Sequence, residues 1–451
     1  MSELVVQIEQ ALVAARAAGA VAADAVLVDS SGVETRVRAE EIDFVTQAHE
    51  RTLGIRAFAA GSKGLRSAIT STSDLARESI ERMAREAVAL ARTTAEDPAA
   101  GLPEGGFEAE LPDLGLFDPA DREASVEAHI ESARRAERAA RAVDPRITNS
   151  EGSEASSRFS RVAYGNSAGF LGEYEAASHQ LAAMPIASEN GAMQVDSWWT
   201  VGRTLARLLS PEDVGRRAAE RALRRLGARR VATCEVPVIF DPVTASSLLR
   251  QIVGCVSGYA VYRESSFLAG RLGERIASEL ITLVDDGRLP GGLGSRPFDG
   301  EGLPTRRNVV LERGRLASWL LDSYSGRKLG LASTGSAARS AGSAPGVSST
   351  NLWLEPGATA PEEIVGSTER GFLVTSLIGQ GFSPVTGDFS RGAAGMWIEG
   401  GRPVHAVEEV TIAGNLGAML EAVDAVGSDL LWLGSVAAPT LRVARMMVAG
   451  D

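Results

Sequence analysis

The sequence predicts an α+β protein, with a duplicated α/β domain over residues 1–230 followed by a mostly β domain over residues 231–451. Three observations favour this division. The order helix, strands, helix occurs twice in the first half, where apolar residues recur first at helical and then at strand spacing. The second half is dominated by glycine, valine, threonine and aromatic residues, as is typical of strands joined by turns. The length of 451 residues also exceeds what one compact core usually fills.

The first copy of the repeated unit begins with a predicted helix over residues 3–18. Its apolar residues at helical spacing are Leu4, Ile8, Leu12 and Val13. Strands are predicted next at 24–31, 33–47 and 53–70, the last containing a glycine- and serine-rich hairpin turn. A helix over 73–93 follows, with Ser73 and Asp74 as its cap, and a linker rich in glycine and proline is expected near 95–118.

The second copy repeats this order. A helix is predicted over 119–142 and another over 210–227. Ser210 and Pro211 give the second helix a favourable start, because serine caps helix ends and proline fits the first turn. The strands predicted between the two helices are 147–165, 170–187 and 192–204.

The second half opens with a predicted strand over 235–242 and a helix over 241–258. A further helix is predicted over 265–280. The segment 333–351 is poor in sequence complexity and is expected to form a mobile loop. The strands predicted in the remainder are 308–324, 371–379, 394–414 and 438–448.

Charge and composition exclude several classes of protein. The net charge of −12 argues against nucleic-acid binding, which depends on basic patches. No apolar run is long enough to cross a bilayer, and the amphipathic start of the chain does not have the pattern of a signal peptide. Two cysteines do not make a disulfide framework. The sequence therefore predicts a cytoplasmic protein that binds neither nucleic acid nor membrane.

Residues 247–274 have the composition of an active-site approach, with Cys255 and Ser257 as possible nucleophiles. The local pattern is Gly-x-x-Ser-Gly, however, and a nucleophile elbow requires Gly-x-Ser-x-Gly. No histidine lies nearby in the sequence to serve as a base. Cys255 is therefore interpreted as a buried small residue. His49 and Glu50 begin like a zinc-binding helix, but no second histidine follows at the required spacing.

Acidic residues also cluster in the second half, where paired carboxylates could act as acid and base. These residues are Asp285, Asp286, Asp299, Glu301 and Asp388. Because glycine and proline surround most of them, we interpret them as residues of turns. No residue of this chain is predicted to be catalytic or to bind a metal.

A glycine-rich segment near residue 380 is the candidate for substrate binding. An exposed strand edge without side chains lets a peptide approach the backbone, so an extended peptide could pair with it. The predicted substrate-binding residues are Gly379, Gly381, Gly387, Asp388, Ser390 and Arg391.

The second half contains ordered motifs that resemble the TldD/PmbA peptidase family, on the metal-free TldE/PmbA side. These motifs occupy residues 256–274, 295–307, 320–335, 379–401 and 407–416. The resemblance implies a heteromeric zinc peptidase that cleaves short or unfolded peptides. In such an assembly a TldD-like subunit carries the zinc on an HExxxH helix and a later cysteine, and its TldE-like partner lacks the metal.

On this resemblance, the HExxxH motif falls on residues 249–254 and the cysteine ligand falls near Leu433. Leu249 and Gly254 have no donor atom for zinc, and Arg250 cannot replace the glutamate base. The chain is therefore expected to carry no cofactor, to find zinc in its TldD-like partner, and to bind peptide with it. Two alternatives remain open: an autonomous Cys/Ser hydrolase, and a non-enzymatic regulatory protein of the gyrase-modulator type.

Overall fold

The first half of the chain is organised around one seven-stranded antiparallel sheet in a computed structural model that describes residues 2–450. Its strands are β1 (Ala22–Arg38), β2 (Glu41–Ala60), β3 (Leu65–Thr72), β4 (Ile147–Asn166), β5 (Leu171–Glu189), β6 (Ala192–Val195) and β7 (Trp198–Gly202). They are ordered β3-β2-β1-β4-β5-β6, and β7 also pairs with β5. Strands β1 and β4 pair at the centre, with Asp24 opposite Asn166 and Val37 opposite Ser153. The two predicted repeats thus contribute to one continuous sheet.

Four helices cover this sheet. They are α1 (Glu3–Ala17), α2 (Arg77–Ala91), α3 (Val126–Ala142) and α4 (Pro211–Leu223). Helix α2 packs on β2 and β3 of the first repeat and α4 on β5 and β7 of the second, whereas α1 and α3 contact both of the central strands β1 and β4. The predicted start of α4 is confirmed, because the Ser210 hydroxyl accepts the Asp213 N–H at 3.1 Å. The predicted cap of α2 is wrong. Its N-cap is Ala76, and Asp74 instead accepts the Ala76 N–H in a turn before the helix.

The first hairpin turn lies later in the chain than the sequence predicts. Strand β1 continues through Gly32, where a break was expected, and the chain turns at Ala39 and Glu40. Both residues have positive φ, an uncommon backbone conformation for residues other than glycine. The buried carboxylate of Glu137 on α3 accepts both of their N–H groups, at 2.9 and 2.8 Å. A long-range contact therefore stabilises this turn.

The second half contains two six-stranded sheets. Its strands are β8 (Cys234–Phe240), β9 (Leu283–Asp286), β10 (Arg307–Glu312), β11 (Arg315–Leu316), β12 (Ala337–Ala338), β13 (Gly346–Val347), β14 (Leu352–Leu354), β15 (Arg370–Ile378), β16 (Asp388–Glu399), β17 (Arg402–Asn415), β18 (Val423–Val426), β19 (Leu431–Trp432), β20 (Val436–Ala438) and β21 (Leu441–Ala449). One sheet is ordered β17-β16-β15-β8-β21-β18 and the other β11-β10-β9-β14-β20-β19. The α+β class, with a strand-rich second half, is confirmed. The domain boundary near residue 230 stays a prediction.

The helices of the second half are short apart from the first. They are α5 (Pro242–Val256), α6 (Gly258–Tyr262), α7 (Ser323–Leu329), α8 (Pro361–Gly366) and α9 (Leu416–Glu421). The helix predicted over 265–280 is wrong, since the chain there forms turns. Gly270 and Gly273 adopt positive φ, which a helix cannot accommodate. The strand predicted over 308–324 is also corrected, because it divides into β10, β11 and the start of α7.

The segment 333–351, where a mobile loop is expected, packs against the rest of the molecule and contains two short strands. Strands β12 and β13 pair within it. Ser336 and Asn351 are fully buried, and Arg339 makes a buried ion pair with Asp24 of β1. Within residues 2–450, no helix is both long and apolar enough to cross a membrane.

Candidate functional site

Helix α5 lies between the two sheets of the second half, in contact with β8 and β15 of one sheet and with β14 and β20 of the other. It begins at Pro242, directly after β8, and the Asp241 carboxylate caps it by accepting the Thr244 N–H at 2.9 Å. Its buried side chains include Leu248, Leu249, Ile252, Cys255 and Val256. Arg250 and Gly254 are exposed. One face of α5 is therefore buried in the core, and Arg250 and Gly254 lie on a face that is exposed to solvent.

The two nucleophile candidates on this segment are poorly placed for chemistry. Cys255 is fully buried, and burial raises the pKa of its thiol to about 12 although Ser266 hydrogen-bonds to it. A thiol with such a pKa is almost entirely protonated at neutral pH and is a weak nucleophile. Ser257 ends α5 and makes a β-bridge to Leu320. Neither side chain is hydrogen-bonded to a histidine in the described part of the chain.

The residues at the positions expected for zinc ligands do not fit a metal. Leu249 is 2% exposed and belongs to the main core of the second half. A Cβ atom added to Gly254 would meet no atom within 4 Å, so this position borders open space. Leu433 presents a carbonyl that accepts the Trp199 indole N–H at 3.0 Å. Between residues 2 and 450, no group of three or more His, Cys, Asp or Glu side chains is placed to hold a metal ion.

The glycine-rich candidate segment forms the tip and one arm of the β15–β16 hairpin. Gly379 and Gly387 adopt positive φ, which the tight loop requires. At Gly381 an added Cβ would lie 1.7 Å from the carbonyl oxygen of Ser390, and the Ser390 N–H donates to the Gly381 carbonyl at 2.7 Å. The glycines therefore serve the loop's own close packing.

The expectation of an open strand edge at this segment is wrong, because β16 pairs with β15 on one side and with β17 on the other. Asp388 is exposed and accepts the Thr386 hydroxyl at 2.7 Å, and Ser390 is also exposed. Arg391 is 9% exposed and donates to the Ser247 hydroxyl of α5 at 2.7 Å. Among the six predicted residues, Arg391 is thus the one that hydrogen-bonds to α5. Substrate binding by the six stays a prediction.

A groove that the sequence did not reveal adjoins the exposed face of α5. It has a volume of about 410 Å³ and lies between β7, α4, the loop 289–293 and the segment 431–434, which includes β19. Its lining residues are Trp198, Thr200, Val201, Gly202, Arg207, Leu209, Arg217, Leu289, Pro290, Gly291, Gly292, Leu293, Leu431, Trp432, Leu433 and Gly434. We call it the tryptophan groove. An added Cβ at Gly434 would lie 3.7 Å from Nη2 of Arg250, which places the groove beside α5. In the sequence, Trp198 and Trp432 were the residues that could have indicated an apolar groove, but they are too far apart in the chain to be recognised as neighbours.

A second unexpected cluster lies under α3. The Ser157 hydroxyl is 2.7 Å from Nε2 of His129 and 2.6 Å from Nδ1 of His179, and Nε2 of His179 is 3.3 Å from Asp121. The composition is that of a hydrolytic triad. Ser157 is only 2% exposed and His179 is fully buried, however, so a substrate cannot reach them. Burial lowers the pKa of His179, and the nearby Asp121 opposes this effect. The cluster is a structural hydrogen-bond network.

Comparison with known families matches almost the whole chain. The model of the PmbA/TldA metallopeptidase domain 1 matches residues 23–91, that of the central domain matches 119–226, and that of the C-terminal domain matches 233–450. The three matches follow one another along the chain in the order first, central and C-terminal domain.

Individual relatives agree with the family models. The metalloprotease PmbA of Escherichia coli O157:H7 is 39% identical over 92% of this chain and 90% of its own length. The crystal structure of a protein from Bacteroides thetaiotaomicron, described as a modulator of DNA gyrase, superposes with a TM-score of 0.91 at 28% identity and covers 100% of both chains. The structure of TldE from Thermococcus kodakarensis has a TM-score of 0.86 at 24% identity, covers 98% of this chain and 100% of its own, and supports the fold alone.

Proposed function

Because the chain belongs to the PmbA/TldD family of metallopeptidases, we propose that it is a metal-free subunit of the TldE type. A TldD-like partner would supply the zinc, and the two subunits together would cleave short or unfolded peptides. The free thiols of Cys234 and Cys255 support placing the assembly in the cytoplasm.

The observation that carries this proposal is the set of side chains on α5. On the resemblance to the family, the two histidines and the glutamate of the zinc subunit would fall on Leu249, Gly254 and Arg250 of this chain. A guanidinium is always protonated near neutral pH, so it cannot accept a proton from water and it repels a cation. Leucine, glycine and arginine side chains offer neither a zinc ligand nor a base, which supports a role in forming the assembly instead of in hydrolysis.

Zinc in the partner would activate the attacking water and polarise the scissile carbonyl when bound. The residues of this chain would enclose the substrate and exclude bulk water. We propose that the β15–β16 hairpin contributes to this enclosure, with Asp388 and Ser390 on its exposed side and Arg391 attaching the hairpin to α5.

Co-expression with a TldD-like subunit tests the proposal. We expect a stable complex that contains zinc and cleaves unfolded peptides, whereas this chain alone contains no stoichiometric zinc and cleaves nothing. Zinc is measured by atomic emission and cleavage by mass spectrometry of the products. Replacing the glutamate of the partner's HExxxH helix by glutamine abolishes cleavage.

Cys255→Ala and Ser257→Ala in this chain are the matched controls, since both are expected to leave cleavage by the complex unchanged. Loss of cleavage in either variant, with the complex still assembled, would favour the autonomous hydrolase. Stoichiometric zinc and peptide cleavage by the purified single chain would contradict the proposal directly.

The regulatory alternative draws on the solved relative described as a modulator of DNA gyrase. The net charge of −12 gives it no support as a protein that binds DNA itself. An affinity purification that recovered gyrase without a TldD-like subunit would favour the regulatory role.

A further inference from the structure

The tryptophan groove combines apolar walls with positive charge. Trp198, Trp432 and several leucines form its walls, and none of the residues that line it is acidic. Most of these side chains are only partly buried, so the groove is open to solvent. An apolar surface of this kind lowers the free energy of binding a bulky apolar group.

The three arginines at the groove lie within 4 Å of no carboxylate in the described residues. Arg217 stacks over Trp198 with its guanidinium carbon 5.6 Å from the ring centre. Arg207 makes only a 3.5 Å contact with the carbonyl of Gly291. Arg250 adjoins the groove at Gly434.

Neighbouring arginines show the contrast. Arg216, next to Arg217 on α4, pairs with Asp213 at 2.8 Å and with Glu220 at 3.1 Å. Arg135 makes two hydrogen bonds to Glu212, at 2.8 and 2.9 Å. On a chain with an excess of acidic residues, three arginines at one groove without a carboxylate partner leave the capacity to bind an external anion.

We infer that the tryptophan groove holds a peptide segment in which a bulky apolar residue adjoins a carboxylate. The apolar side chain packs against Trp432 and the leucines of the groove, and the arginines donate hydrogen bonds to the carboxylate. The inference rests on the proposed function only in taking a peptide as the ligand. The carboxylate can come from an Asp or Glu side chain or from the free C-terminus of the peptide.

The test measures binding of fluorescent decapeptides to the purified chain by anisotropy. The parent peptide has two leucines followed by a glutamate in a glycine- and serine-rich background, with an amidated C-terminus. Replacing the glutamate by glutamine, or both leucines by alanine, is expected to weaken binding about tenfold or more. A fourth peptide with glutamine and a free C-terminal carboxylate next to the leucines distinguishes the two sources of the anion.

Variants of the protein locate the site. Arg217→Gln and Trp432→Ala are expected to weaken binding of the parent peptide about tenfold, and Arg217→Gln removes the preference for glutamate over glutamine. Arg216→Gln is the matched control, one residue away on the same helix but outside the groove, and it leaves binding unchanged. Urea unfolding midpoints confirm that each variant is folded.

Equal binding of the glutamate and glutamine peptides, or equal losses in Arg216→Gln and Arg217→Gln, would overturn the inference. That result leaves the proposed function intact if the complex still cleaves peptides. Conversely, this chain could prefer the glutamate peptide and yet bind no zinc subunit. That result would support peptide binding in the groove and contradict the proposed assembly.

Discussion

Asp285 shows how a single buried carboxylate can control the pH dependence of stability. It is 1% exposed, and its Oδ1 accepts the Thr350 N–H at 2.6 Å and hydroxyl at 3.0 Å, while Oδ2 has no partner among the described residues. Burial raises its pKa to about 7, and burial with the neighbouring Glu301 does the same for Asp299. The folded protein therefore retains two protons that the unfolded chain releases at lower pH.

The sign of the effect follows from these values. An unfolded aspartate has a pKa near 3.8, so between about pH 4 and pH 7 the folded state binds more protons, and stability falls as the pH rises through this window. Asparagine cannot titrate, so Asp285→Asn removes one of these two groups. The slope of the free energy of unfolding against pH is then smaller by up to about 1.4 kcal/mol per pH unit. Urea unfolding at pH 4.5 to 8 measures this slope.

Asp429 provides a control because its Oδ1 accepts the backbone N–H of Thr440 at 2.9 Å and its Oδ2 accepts the Thr440 hydroxyl at 2.7 Å, while the residue is less buried than Asp285. Asp429→Asn measures how much the loss of such hydrogen bonds alone changes the free energy of unfolding. If Asp285→Asn had the same slope as the native chain, the raised pKa of Asp285 would be wrong.

For single residues, the sequence predicted the burial of an apolar side chain better than the burial of charged ones. The interpretation of Cys255 as a buried small residue agrees with its full burial. Asp285 and Asp299 were interpreted as residues of surface turns, yet both are buried. Asp299 does stabilise a turn, by accepting the N–H groups of Glu301 and Leu303. Local composition predicted the turn at Asp299. It could not predict the burial of this residue, because the neighbouring strand β12 comes from a distant segment of the chain.

At the scale of helices, replacing either of two helical glycines by alanine tests the packing, and the two variants are expected to change the free energy of unfolding in opposite directions. A Cβ added to Gly215 in α4 would lie 2.1 Å from the carbonyl oxygen of Ala136 in α3, so these helices approach closely at this point. Gly254 in α5 has no atom within 4 Å of such a Cβ. Gly215→Ala is expected to destabilise the fold by about 1–3 kcal/mol. Gly254→Ala is expected to stabilise it by about 0.5–1 kcal/mol.

Urea unfolding of the two variants under identical conditions measures both effects. Each substitution improves helix propensity equally, so the difference between them reports the α3–α4 contact alone. A stabilising effect of Gly215→Ala would contradict the close approach of these helices.

Most helices and strands could be predicted from local patterns, because periodicity and capping residues act within a few positions. The start of α4 at Ser210 and Pro211 is an example. The turn at Ala39 and Glu40 could not be predicted, since its N–H groups bind Glu137 on a helix of the other repeat. The tryptophan groove was missed for the same reason, because its walls come from segments more than 200 residues apart.

At the scale of the whole molecule, a buried charge cluster joins the two halves. The Asp24 carboxylate in β1 pairs with Arg339 and with Arg56, and the Tyr164 hydroxyl donates to it at 3.3 Å. Burial acts to raise the pKa of Asp24, but the two arginines bring it below its usual value. The segment carrying Arg339 thus couples the second half to the central strands of the first.

Arg339→Met is expected to destabilise the protein by about 3 kcal/mol, because it leaves part of the charge of Asp24 uncompensated in the core. We also expect the two halves to unfold less cooperatively, so that circular dichroism and tryptophan fluorescence give separate urea midpoints. Arg77→Met removes the exposed Arg77–Glu81 pair and is the control, with an expected change within about 0.5 kcal/mol. Identical stabilities of the two variants would contradict the coupling.

The pairing of distant strands has a consequence for the order in which the chain can fold during its synthesis. Strand β1 cannot complete its pairing until β4 has been synthesised, since it pairs with Ser153–Asn166 of that strand. In the same way, β8 cannot pair with β21 until the end of the chain has been made. Contacts between such distant segments slow folding, because closing long loops costs entropy before any pairing is gained. Once β8 has been synthesised it lacks both of its neighbours, β15 and β21, until those later strands are made, and aggregation competes with folding in that interval.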